Sequence, residues 1–423
     1  MEQLSFLTED QVLAIQKQFG TPCFVYDQNT LENQARAVLD FPNAYGLTAR
    51  YAMKACSNAA LLRILHRMGV HIDASSGHEV ERALQAGIPA SHIQLTAQQM
   101  PNNLKDLAEQ GVRFNACSLR QLDQFGRLFK GSQLSIRLNP GLGSGHSNRT
   151  NVGGPSASFG IWHEQLAQVL ELQSRYALSI TGLHTHIGSG SDPAVWQHCA
   201  RLTLGLAAQL GEVHTVSLGG GFKVGRMAGA TSTDLQIAGR PIISEFERFA
   251  AEHGRQLHLE VEPGTFFVAQ TGALICTAVD IVDTGTEGYH FIKVDTGMTE
   301  ILRPSLYGAQ HPIVLVAADA EKRGQKDYLV VGHCCESGDI LTPEPDNPEG
   351  LAPRHLTEAR IGDALFIGGS GAYCAAMSAK NYNSFPEAPE VLLASDGSLH
   401  LIRRQQQLQQ ILANEVMPAF LSD

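Results

Sequence analysis

The stretch YAMKACSNAALLRIL, residues 51–65, decides how the rest of the chain is read. A short apolar run leads to a single lysine, Lys54. An amphipathic helical pattern follows at once, with leucines at 61, 62 and 65. Strand, junction, helix is the repeating unit of a parallel α/β fold. Ser57 is placed to cap the helix and Gly69 to end it. A lysine at such a junction is expected to be half buried, and a buried ammonium is costly unless it is paired or used. One reading is a lysine snorkelling out of a strand end. The other is a desolvated amine kept for covalent chemistry with a carbonyl.

Working outward, the same unit recurs. The strands read as RYAMK (50–54), VHIDASS (70–76), HIQLTA (92–97), VRFNACS (112–118), LSIRLNPG (134–141), ITGLHTHIG (180–188), TVSLGGG (215–221) and LHLEVEPG (257–264). Between most of them lie segments with 3.6-residue periodicity, such as HEVERALQAG and LRQLDQFGRLF. Eight such units predict a (β/α)8 barrel of the TIM type. An open doubly wound sheet is the alternative, but no G-x-G-x-x-G follows the first strand. After about residue 270 the pattern turns to β-rich runs, among them ALICTAVDIVD, FIKVDTGM, YLVVGHCC and EVLLASDGSLHLIRR. The expected domains are a barrel over 27–270 and a β-barrel or β-sandwich domain made of 1–26 and 271–423. Residues 345–359 read as a surface loop, and helix is expected again only near the C-terminus.

Composition narrows the function. The net charge is −11, which argues against nucleic acid or an anionic membrane as partner. No run of 18 apolar residues is present to span a bilayer. The start, MEQLSFLTEDQ, lacks the apolar core of a secretory signal. The eight cysteines are scattered without a C-x-x-C pair, which predicts reduced thiols in a cytoplasmic protein and no metal site.

In a barrel of this kind the active site lies at the C-terminal ends of the strands. Ionisable and glycine residues collect there: Lys54, Asp73, Asn115, Arg137, Asn139, the run HTHIGSGSD, Gly219, Gly220 and Gly221, then Glu262, Pro263 and Gly264. Glycine-rich ends on the sixth and seventh strands suit a phosphate, because backbone N–H groups can approach an anion closely. A lysine, a phosphate cradle and a carboxylate across the barrel point together to pyridoxal phosphate. Lys54 would hold the aldehyde as a Schiff base, and Glu262 would pair with the pyridine nitrogen. His186 would lie against the ring face.

These residues carry a resemblance. The segments KACSN (54–58), RLNPG (137–141), HTHIGSG (184–190), GGG (219–221), VEPG (261–264), LRPSLYG (302–308), CESGD (335–339), GAY (371–373) and NYNS (381–384) run in family order along nearly the whole chain. Together they resemble the fold-type-III pyridoxal-phosphate decarboxylases, and among them most closely the diaminopimelate decarboxylases. The resemblance implies decarboxylation of meso-2,6-diaminopimelate to L-lysine. It implies Lys54, His186 and Cys335 as catalytic residues, Cys335 being the proton donor. It implies Asp73, Arg137, Ser189, Gly219 to Gly221, Glu262, Gly264 and Tyr373 around the cofactor. Arg303, Tyr307, Glu336 and Tyr373 would meet an amino-acid substrate. It also implies a homodimer in which CESGD completes the partner's site.

Three positions depart from the family pattern. The usual EPGR reads EPGT, with Thr265; a customary lysine is Ser158; and the arginine after YNS is Phe385. Lys380 is one candidate to replace a lost charge. Fewer cations leave open decarboxylation of another amino acid or a citryl-amino acid. Amino-acid racemisation is a further alternative, because a racemase shares the cofactor and barrel.

Overall fold

The computed structural model describes residues 2–143, 153–188 and 190–421. The chain divides into two compact units. One comprises Leu31–Gly225 and Thr231–Val268; the other comprises Met1–Thr30, Arg226–Ala230 and Ala269–Asp423.

Strand β1 (Cys23–Asp27) belongs to the second unit. The first unit holds β2 (Leu47–Ala52), β3 (His71–Ala74), β4 (Ile93–Leu95), β5 (Arg113–Ala116), β6 (Gln133–Asn139), β7 (Ile161–Trp162), β8 (Ser179–His184), β9 (Thr215–Ser217) and β10 (His258–Val261). Their order is β5-β4-β3-β2-β10-β9-β8-β6, and β5 also pairs with β6, so eight parallel strands close into a barrel. The two residues of β7 only extend the end of β6. All eight expected strands are present, but each stops two to four residues before the sequence reading drew it. The polar and glycine residues at those ends have left the ladder. Gly219 and Gly221, for example, take φ of +70° and +99°, a region that glycine enters without a Cβ penalty.

Local sequence explains the helices that follow. After β2 the chain makes one 3-10 turn, Met53–Ala55, and then the α-helix Ala59–Arg67. Its cap is Asn58 rather than Ser57: Asn58 Oδ1 accepts from the Ala60 N–H at 2.9 Å. Leu61, Leu62 and Leu65 are fully buried, each contributing about 1.5–3 kcal/mol by leaving water. Gly69, at φ +97°, donates its N–H to His66 O and ends the helix as expected. Two later βα turns reuse one device. Ser76 and Ser118 accept from the N–H of Glu79 and Gln121, each at 3.1 Å. The Glu79 and Gln121 side chains reach back to the N–H of Ser75 and Cys117, each at 2.7 Å. These reciprocal contacts satisfy helix-start donors and fix the loops leaving β3 and β5.

The second unit is built on a nine-stranded mixed sheet. Its remaining strands are β11 (Gly272–Asp283), β12 (His290–Val294), β13 (Ile313–Val316), β14 (Gln325–Val331), β17 (Arg354–Thr357), β18 (Ala364–Ile367), β19 (Glu390–Leu393) and β20 (Leu399–Arg403). A separate hairpin joins β15 (Pro343–Glu344) to β16 (Asn347–Leu351). N-terminal β1 lies between β11 and β19, antiparallel to one and parallel to the other. Val12, Ile15, Val25, Ile275, Phe366 and Val391 form the core under it. The span 345–359 is not a loop: it holds β16 and β17, and β17 pairs with β14. In β17 only Leu356 is buried, too little apolar pattern to mark a strand in a proline- and charge-rich stretch. The C-terminal helix is a single short one, Leu408–Leu412. No helix among the described residues is long and apolar enough to cross a membrane.

Candidate active site

Inside the barrel the side chains form polar layers. Arg50 of β2 makes two hydrogen bonds to Glu260 of β10, at 3.1 and 2.9 Å, and Arg113 of β5 adds a third at 3.2 Å. Burial alone would raise the Glu260 carboxyl, but the Arg50 guanidinium holds it below the usual range. This pairing closes the lower layer.

Glu262 stands two residues further along the same strand line, where the strand has ended. Its Oε1 accepts from Ser217 Oγ at 2.8 Å and Gln94 Nε2 at 3.1 Å. Its Oε2 has His184 Nε2 at 3.2 Å, off the line of a hydrogen bond. His184 Nδ1 accepts from the Asn115 amide at 2.8 Å. Burial, reinforced by Arg137, keeps the His184 imidazole neutral, well below its ordinary pKa. Asp73 lies in the same layer. Burial and then the Glu262 charge push its carboxyl well up, against the pull of Lys54 and Thr96. Burial likewise raises Glu262. Two carboxyls in one dry layer therefore hold protons more tightly than they would in water.

Lys54 is exposed rather than half buried. It sits in the 3-10 turn beyond β2, where the strand no longer carries it into the wall, and its ammonium still acts on Asp73 and His186. His186 is half-buried against Gly219, where a Cβ would stand 2.6 Å from Nδ1. Only glycine lets the imidazole lie on the backbone there. A Cβ on Gly264 would meet Ala52 O at 3.1 Å. Arg137 is buried and lies over the Phe159 ring at 5.1 Å. Ser189 lies outside the described residues.

The mouth of the barrel is thus lined with buried polar groups, and four of their atoms lack a hydrogen-bond partner: Asp73 Oδ1, Asn115 Oδ1, His184 Nε2 and His186 Nδ1. Orphaned polar atoms collected at one end are costly to the fold alone and call for a polar ligand. Pyridoxal phosphate fits them. A carboxylate with one oxygen held and the other without a hydrogen bond suits a ring nitrogen, and the glycine backbone suits a phosphate.

Residues 30–269 match the family described as pyridoxal-dependent decarboxylase, pyridoxal binding domain. The chain is 36% identical to diaminopimelate decarboxylase of Escherichia coli K12, over 97% of each chain. It is also 36% identical to that of Streptomyces coelicolor, over 96% of this chain and 92% of the other. A crystal structure of diaminopimelate decarboxylase superposes with a TM-score of 0.90, covering 96% of both chains. The chain belongs to the diaminopimelate decarboxylase family. It is a pyridoxal-phosphate-dependent carboxy-lyase.

The family's remaining motif residues lie in the second unit. Arg303 opens the short helix Arg303–Tyr307, which Gly308 ends at φ +63°. Arg303 Nε donates to His311 Nε2 at 3.3 Å. Tyr307 is half-buried. Tyr373 is half-buried at φ +56°, a rare backbone state for a tyrosine. Cys335 and Glu336 are exposed. Their turn is organised by Asp339, whose carboxylate accepts from the N–H of Cys334 at 2.9 Å and of Met298 at 2.7 Å. Burial and then Asp339 push the neighbouring Cys334 thiol up to about 12. The NYNS motif also acts on this turn. Asn383, at φ +50°, accepts from the Cys335 N–H at 2.8 Å.

One of the departures finds a physical role. Phe385 stacks on His333, centroids 3.6 Å apart and planes at 7°. Ser158 is exposed. Lys380, the candidate to replace a lost charge, is paired with Glu387 at 2.5 Å. Sequence reasoning missed Gln94 and Ser217 as the groups that hold Glu262 and His184 as its neighbour, and it missed Asn383. The only signal for the first three was polar residues within otherwise apolar strand runs.

Proposed function

We propose that this chain decarboxylates meso-2,6-diaminopimelate to L-lysine, as a homodimer with shared active sites. The observation that carries the chemistry is Glu262, with one oxygen fixed by Ser217 and Gln94 and the other beside the unpartnered His184 Nε2. The substrate rests on the relatives named above and on Arg303 and Glu336. Arg303 takes the carboxylate that the substrate keeps, and Glu336 its distal ammonium. Pyridoxal phosphate, when bound, supplies the electron sink that accepts the pair left behind as CO2 departs. Lys54 would anchor it, the Gly219 to Gly221 backbone and Ser189 would hold its phosphate, Asp73, Arg137, Gly264 and Tyr373 would line its surroundings, and His186 would lie beside its ring. Glu262 keeps a proton on the ring nitrogen. Cys335 of the partner subunit gives its Sγ proton to the α-carbon. Support for that sharing is the exposure of Cys335 and Glu336 within one chain.

Release of labelled CO2 by the holoenzyme should be compared for meso-diaminopimelate, L-lysine, ornithine, arginine and citryl-amino acids. The kcat/KM for diaminopimelate should exceed that for L-lysine by at least ~10²-fold, because a charged contact to the second carboxylate is lost with L-lysine. Faster release from a citryl-amino acid would support the second reading, which Thr265 favours by opening room for a bulkier acid. Inversion without CO2 release would show a racemase.

A further inference from the structure

Several arginines of this chain that are buried or half-buried have carboxylate partners. Arg50 meets Glu260, Arg323 meets Asp363, and Arg403 meets Glu390. Arg226 does not. It begins the short segment Arg226–Ala230 that packs with the second unit. Its Nε donates to Gly369 O at 3.0 Å, while its buried Nη2 has no partner. The Arg303 guanidinium lies near enough to repel it. Arg303 is anchored in a matching way. Its Nε donates to His311 Nε2, and His311 Nδ1 donates to Gly368 O at 2.9 Å. Burial, with both arginines beside it, holds His311 neutral, as that tautomer requires. Two consecutive carbonyls, Gly368 and Gly369, thus fix two guanidiniums through their Nε atoms. Gly369 sits at φ +63°, and a Cβ there would press on Arg226 Cγ at 3.0 Å. Among the described residues no acidic side chain pairs with either arginine.

We propose that Arg226 and Arg303 together form a carboxylate clamp. Two like charges held side by side without a counter-ion are unfavourable until an anion arrives, and a carboxylate can bridge them with paired N–H···O contacts. The clamp takes the carboxylate that stays on the substrate after CO2 leaves. Arg226 is therefore a specificity residue, and its assignment rests on the reading of Arg303 as a substrate contact.

The test is titration of the holoenzyme with three probes: L-lysine, which keeps that carboxylate; cadaverine, the same chain without it; and pimelate, a plain dicarboxylate. Arg226→Gln should weaken L-lysine and pimelate by at least ~10-fold, the scale of one lost charged hydrogen-bonding partner. Cadaverine should change less than ~2-fold, since it offers the clamp no anion. Arg226→Lys, which keeps the charge but not the fork, should recover part of the loss. Equal weakening of L-lysine and cadaverine would show a merely structural arginine, and unchanged pimelate affinity would overturn the clamp. If wild-type enzyme fails to turn over diaminopimelate, the substrate reading falls, while the pimelate titration still judges Arg226 by itself.

Discussion

Glu262→Gln should keep the cofactor bound and lower kcat by at least ~10²-fold, the scale seen when one preorganised catalytic group is removed. The substitution changes charge and little else. Ser217 and Gln94 can still bond a side-chain oxygen, and the glycine cradle is untouched. What is lost is the negative charge proposed to keep the ring nitrogen protonated. Burial raises the Glu262 carboxyl in the protein alone, and a cation bound beside it would favour the carboxylate. Visible spectra of the variant report cofactor retention, and stopped-time CO2 release reports kcat. Near-normal turnover with bound cofactor would place the acid elsewhere.

Lys54→Ala and Cys335→Ala should each be close to inactive, yet a mixture of the two should regain activity. Cys335 is the exposed member of a cysteine pair. Cys334 beside it is held up at about 12 and packed against Asp339, so Cys334→Ala should cost stability and little catalysis. If Cys335 serves the partner's site, a mixed dimer contains one site with both Lys54 and Cys335 and one with neither. Random exchange gives about half mixed dimers, so about a quarter of wild-type activity is the ceiling for a two-fold dimer. Isotope-labelled subunits in native mass spectrometry would establish exchange. A mixture that exchanges and stays inactive would put Cys335 in its own subunit's site.

The barrel was legible because its unit repeats. YAMKACSNAALLRIL announces strand, junction and helix by local pattern, and the other seven units repeat it. Lys54 and Glu262 stood out because charge at the end of an apolar strand is conspicuous. What surrounds them was not legible. Gln94, Ser217 and His184 converge on Glu262 from β4, β9 and β8, and no spacing along the chain encodes a contact made by barrel closure. Asn58 took the cap from Ser57, although either side chain suits the position. Arg226 was hidden in a glycine-rich loop, FKVGRMAGA, where a lone arginine reads as a solvated charge. Its meaning depends on Gly369, over a hundred residues away.

The most direct measurement is borohydride reduction of the holoenzyme followed by peptide mapping. The reduced cofactor should be found on Lys54, in the peptide that contains YAMKACSN, and the Lys54→Ala protein should carry no label. Label on any other lysine, or a reduced protein with none, would contradict the placement of the cofactor at the mouth of this barrel.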